Sequence, residues 1–154
     1  MQRKLALGLA TLFYVAALTV AALAQPPALP EAKAAWWDKP AVKFFQANGK
    51  DKALAEFNQP QGRFVKDNLY IFVLDLNGKM LAHPRGDYVG QDFMTVKDAD
   101  GKLFAADIVK AAQEKGSGWA DFKWENPQTK KVEPTSVYFQ KVDGVIICGA
   151  AAKQ

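Results

Sequence analysis

The amino-acid sequence predicts an α+β domain: one antiparallel sheet of about five strands, a long N-terminal helix, and further helices packed on one face. Three observations lead there. Apolar residues recur at helical spacing in two separate stretches, first around residues 37–45 and again around 104–112. Runs rich in β-formers follow each of them. The chain order is then helices, a hairpin, one crossing helix and a three-stranded meander, which suits an antiparallel sheet.

Trp37, Ala41, Phe44 and Phe45 fall at i, i+4, i+7 and i+8, one stripe of a helix. Residues 25–31 are Pro-rich and read as a leader into it. Asp38 before Pro40 is expected to cap this helix or restart it after a kink, and Asn48-Gly49 to end it. Asp51 opens a second short helix carrying Ala53, Leu54 and Phe57, stopped by Gln59-Pro60. Leu69 to Leu74 is a continuous apolar strand, and Asn77-Gly78 turns it into a return strand from Lys79 to Ala82. His83-Pro84 ends that strand, since proline cannot donate to a ladder. After a long connection over 85–100, Phe104, Ile108 and Ala111 or Ala112 mark another helix, capped by Asp98 or Asp100 and stopped at Gly116. Trp119 to Trp124, Thr135 to Val142 and Val145 to Ala150 read as strands, with turns at Asn126-Pro127 and Asp143-Gly144.

The N-terminus has the layout of a secretory signal over residues 1–24. Arg3 and Lys4 precede the uncharged, almost wholly apolar stretch Leu5 to Leu23, and Ala22-Leu23-Ala24 supplies small residues before Gln25. An uncleaved membrane anchor competes, because about 19 apolar residues are enough to span a bilayer. The small-x-small ending and the prolines at 26, 27 and 30 favour cleavage at Ala24/Gln25, and a periplasmic or secreted domain over 25–154. Two of the 20 basic residues leave with that signal and none of the 16 acids, so the net charge falls from +4 to +2. No basic face predicts nucleic-acid binding. Cys148 is the single cysteine, so no internal disulfide is available and apolar burial must hold the fold. No zinc, calcium-loop or haem spacing is present, and no cofactor is expected.

Several blocks, in order, carry a resemblance. They are Ala53-Leu54-Ala55-Glu56-Phe57-Asn58, the run from Phe64 through Asp75, Leu81-Ala82-His83-Pro84, Val89-Gly90-Gln91-Asp92, and Lys97-Asp98-Ala99-Asp100-Gly101-Lys102. Gly116-Ser117-Gly118-Trp119, Trp124-Glu125-Asn126-Pro127, Pro134 and Tyr138 complete the set. Together they resemble the single Cache domain family, type 2, an extracellular relative of the PAS fold. The resemblance implies a sensory domain that holds a small organic acid in a pocket over the sheet. With nothing following residue 154, it implies a free-standing version that acts with a membrane receptor or transporter and does not insert in the membrane after signal cleavage. Typical members carry a tyrosine in the strand after Gly-Trp and a lysine after the proline before the next strand. Here those positions hold Phe122 and Thr135.

A desolvated carboxylate needs an opposite charge or several fixed donors. With those two donors missing, the expected site is an aromatic pocket with a few hydroxyls, suited to a neutral or weakly polar molecule. Its expected lining is Tyr70, Phe72, His83, Trp119, Phe122, Thr135 and Tyr138, with Trp124 as a further aromatic wall and Arg85 as the replacement cation. The plainer alternatives are that His83 bonds a backbone group, that the tryptophans only pack, and that Cys148 is a buried small hydrophobe. Functionally the competing expectation is an interaction protein that keeps the fold and has lost the carboxylate chemistry. An enzyme has least support, since no nucleophile and base are paired in the sequence.

Overall fold

A computed structural model describes residues 29–153. The expected signal segment, residues 1–24, lies outside them. No helix among the described residues is long and apolar enough to cross a membrane.

Helix α1 (Pro30–Asn48) starts with proline in its first turn, where a missing N–H costs no hydrogen bond, and ends at Gly49 with φ of 81°. Helix α2 (Lys50–Phe57) follows directly. Strands β1 (Val65–Lys66), β2 (Leu69–Asp75) and β3 (Met80–Ala82) come next. A single 3₁₀ turn (Gly86–Tyr88), helix α3 (Phe104–Lys115) and the meander β4 (Ser117–Glu125), β5 (Val132–Val142) and β6 (Val145–Ala152) complete the chain. The sheet has six antiparallel strands in the order β1-β2-β6-β5-β4, with β3 hydrogen-bonded to β2.

The class is the expected one, but the helices are not confined to one face. Tyr70, Phe72, Leu74, Val137, Phe139, Ile146, Cys148 and Ala150 pack with Phe104, Ile108 and Ala112 of α3. The alternate residues Leu69, Ile71, Val73, Val145, Ile147 and Ala151 pack with Ala34, Trp37, Ala41 and Phe45 of α1 and with Ala53 and Phe57 of α2. Strand side chains alternate between faces, so α3 lies opposite α1 and α2. The physical reason is the composition of the central strands: every residue of β6 and six of the seven in β2 are buried, and a strand apolar on both sides needs cover on both sides.

Two expected caps also take other roles. Asp38 neither caps nor restarts a helix. It lies inside α1, fully buried against the sheet, and the helix runs on through Pro40. Asp98 does not cap α3. Its carboxylate accepts backbone N–H groups of Asp100, Lys102 and Lys123 at 2.8–2.9 Å, tying the long connection to β4.

Helix α1 and the sheet come into close contact at Gly149. A β-carbon there would lie 2.5 Å from the Ala34 carbonyl oxygen and 2.9 Å from Asp38 Cβ. Gly149→Ala is therefore expected to destabilise the domain by about 1–3 kcal/mol, as overpacking does. Gly86→Ala, where the added carbon meets nothing within 4 Å, should stay within about 0.5 kcal/mol. Urea unfolding of both variants checks the contrast, and equal midpoints would contradict this seat.

Candidate functional site

The chamber between the sheet and α3 is lined by Tyr70 and Phe72 of β2, Met80 of β3, His83, Phe93, Phe104 of α3, and Phe122 and Trp124 of β4. Three local features bring these side chains together. Alternation puts Tyr70 and Phe72 on one side of β2 and Phe122 and Trp124 on one side of β4. Asn58 accepts the His83 N–H at 2.9 Å and holds the end of β3. Phe93 N–H donates to the Gly78 carbonyl at 2.9 Å, while Met80 exchanges backbone bonds with Gly90 and Gln91, so the connection folds back along β3 and lays the Phe93 ring over the sheet.

The rings nearly fill the space. Phe104 stacks on Phe122 with centroids 4.3 Å apart, and Trp124 lies 5.0 Å from Phe104. The remaining cavity is about 10 Å³. That is room for one water at most, against roughly 300–1,000 Å³ for a pocket holding a drug-sized ligand.

Its polarity is equally sparse. His83 is 2 % exposed, and burial is the chief force pushing its imidazole down to about 3, with the Arg85 charge adding to it. His83 is thus neutral across the physiological range. Its Nδ1 accepts the Arg85 backbone N–H at 2.9 Å, which leaves the proton on Nε2. Burial also raises the Tyr70 phenol, so this hydroxyl stays protonated. Neither the Tyr70 hydroxyl nor His83 Nε2 bonds to another protein group among the described residues, and the two rings lie 5.5 Å apart.

The expected lining is only partly assembled here. Tyr70, Phe72, His83 and Phe122 share the cavity. Trp119 and Tyr138 do not: they pair with each other at 4.8 Å on the α1 side of the sheet, and Trp119 is 49 % exposed. Thr135 sits beside Phe122, but its hydroxyl donates to the Glu133 carbonyl and it borders a charged surface hollow with Asp98, Lys102, Lys123 and Lys153. Arg85 is no free cation for the cavity. Its guanidinium bonds Asp87 at 2.9 Å and Glu125 at 2.5 Å and covers the Tyr88 ring at 4.6 Å. Trp124, expected as an aromatic wall, does line the cavity; Met80, Phe93 and Phe104 were not among the expected site residues. Trp124 shares its parity with Phe122, which is a usable signal; Phe93 lies in an irregular connection that has none.

The sequence model of Single Cache domain 2 matches residues 44–153. The chain belongs to that family. Three solved structures share the fold of this Cache domain. A periplasmic sensor domain of a chemotaxis protein aligns at 22 % identity and TM-score 0.59, covering 79 % of this chain and 88 % of its own. A Cache chemosensory domain described for carboxylic acid recognition aligns at 24 % identity and TM-score 0.61, covering 79 % and 86 %. A methyl-accepting chemotaxis protein from Vibrio parahaemolyticus RIMD 2210633 aligns at 19 % identity and TM-score 0.61, covering 77 % and 82 %.

Within this Cache domain, Phe122 and Thr135 are direct partners across the β4–β5 ladder. The two departures from the expected tyrosine and lysine thus fall at one spot, beside the cavity.

His83 is the only histidine in the chain, which makes its protonation directly observable. Its folded value lies below the usual 6.5, so its contribution to stability is present above pH 6.5 and is lost as the pH falls toward about 3. NMR of the imidazole is expected to show no titration between pH 5 and 8; a midpoint near 6.5 would contradict the dry, uncharged environment.

Proposed function

We propose that this Cache domain is a non-catalytic, exported binding domain whose ligand is a small uncharged molecule with one polar end. That end would sit between the Tyr70 hydroxyl and His83 Nε2–H, and the remainder among Phe72, Phe104, Phe122 and Trp124. One observation carries this reading: the Tyr70 hydroxyl and His83 Nε2, neither with a protein partner among the described residues, line an otherwise apolar cavity that holds no charge. A hydrogen bond to each contributes about 0.5–1.5 kcal/mol, so an occupant that bonds both is favoured. A ketone, alcohol or phenol offers what they need.

A carboxylate fits poorly. Charged hydrogen bonds contribute about 1.5–3 kcal/mol each, so lacking the expected tyrosine and lysine costs about two to four orders of magnitude in affinity. Arg85 does not replace them, because Asp87 and Glu125 already neutralise it. The relative described for carboxylic acid recognition therefore shares the fold with this domain, and the ligand class is expected to differ. Entry needs displacement of a ring, and Phe104 on α3 is the natural one because it closes over Phe122. A membrane receptor or transporter is the partner proposed to turn occupancy into a response.

The small size of the cavity supports a second reading, in which the rings are simply core and the domain acts by surface interaction alone. Thermal melts and tryptophan fluorescence against a panel of uncharged ketones, alcohols and phenols, with acetate and pyruvate beside them, separate the two. An uncharged ligand at a hundred times its Kd should stabilise by about 2.7 kcal/mol, with a change in emission at Trp124, while the carboxylates do nothing. The double variant Phe122→Tyr, Thr135→Lys should respond to carboxylates. Stabilisation of the unaltered protein by acetate or pyruvate contradicts the proposal, and silence of both proteins toward the whole panel selects the core reading.

A further inference from the structure

On the face opposite the cavity, α1 carries a carboxyl group that has no business in an apolar interface. Asp38 is 0 % exposed, and neither of its oxygens has a hydrogen-bond partner among the described residues. It lies directly over Gly149, where helix and strand approach so closely that even a methyl group would collide with Ala34 and Asp38. Its neighbours hold no compensating charge. From β5 it meets the Gln140 amide, which favours the ionised form; the Cys148 thiol of β6, on the other face of the sheet, is itself buried and pushed well up. A carboxylate in such a place has lost its water and gained only the Gln140 amide in return. The neutral acid fits, and desolvation holds the group up at about 8 against the usual 3.8.

We propose that Asp38 is a proton-linked anchor: in its protonated form it lets α1 seat flush on the sheet at Gly149, and its ionisation loosens α1 from β5 and β6. Rehydrating the carboxylate requires α1 to lift, because Asp38 has no exposed surface at the seat. The location matters for the rest of the domain. Gly149 stands between Cys148 and Ala150, which pair across the ladder with Phe72 and Tyr70, two residues of the cavity wall. A movement of β6 at Gly149 is therefore felt one strand away by those rings, so external pH acts on the same sheet that a ligand would occupy.

The sign follows from the raised folded value. Stability contributed by the protonated acid is complete below about pH 4 and is lost as the pH rises through about 8. Between pH 6.5 and 8 the unfolding constant of the purified protein is expected to rise about tenfold per pH unit relative to Asp38→Asn, one proton being linked to unfolding. Above pH 6.5 His83 adds nothing to that slope, so the comparison is clean. Hydrogen exchange, corrected for its intrinsic pH dependence, should show α1 amides losing more protection than β4–β5 amides over the same range in the unaltered protein, and no such difference in Asp38→Asn. Carbon-13 NMR of the aspartate side chains in the unaltered protein should show one carboxyl titrating near pH 8; this holds the test open if Asp38→Asn fails to fold. Equal slopes in the two proteins, or every aspartate titrating near 4, would overturn the anchor.

Discussion

Everything in this domain depends on β6 being enclosed from both sides. Val145–Ala152 is buried along its whole length between β2 and β5, so its alternate residues belong to two different interiors. One set meets α3 and the aromatic chamber; the other meets α1. Both interiors are lined mainly by apolar side chains, so any ionisable group inside is driven to be neutral or paired. The buried groups obey this. Tyr70, His83, Asp38 and Cys148 are all driven toward their uncharged forms, chiefly by burial.

The charged residues are kept to the rim, where water screens them. Arg85 bridges Asp87 and Glu125, and Lys153 bridges Glu31 and Asp121. Pairs this exposed add little to stability, typically less than about 1 kcal/mol each. Their consequence is for recognition: the one arginine near the cavity is already neutralised, and no cationic side chain lines the wall. The family fold is thus retained, with Phe122 and Thr135 paired across the β4–β5 ladder beside its chamber.

Much of this was legible in the residues themselves. Asn77-Gly78 marked the β2–β3 turn, Asn48-Gly49 the end of α1, and the ordered blocks from Ala53 to Tyr138 the family. Other features were legible and misweighed. Trp119 and Phe122 are an odd number of positions apart, as are Thr135 and Tyr138, so neither pair could line one face of a regular strand. The unbroken apolar run Val145-Ile146-Ile147-Cys148 was a sign of a strand covered twice, and hence of helices on both sides. Two facts had no local signal. The contribution of Phe93 depends on the connection folding back along β3, and the burial of Asp38 depends on a glycine 111 positions later in the chain. Such contacts are tertiary, and no pattern within a window of sequence encodes them.

The most direct test of the uncharged chamber is an atomic-resolution crystal structure of the purified protein, read at the space between Tyr70, His83, Phe122 and Trp124. Density for a water or an uncharged molecule bonded to both the Tyr70 hydroxyl and His83 Nε2 is the expected result. A carboxylate held there, with Arg85 released from Asp87 and Glu125 to meet it, would contradict the claim outright.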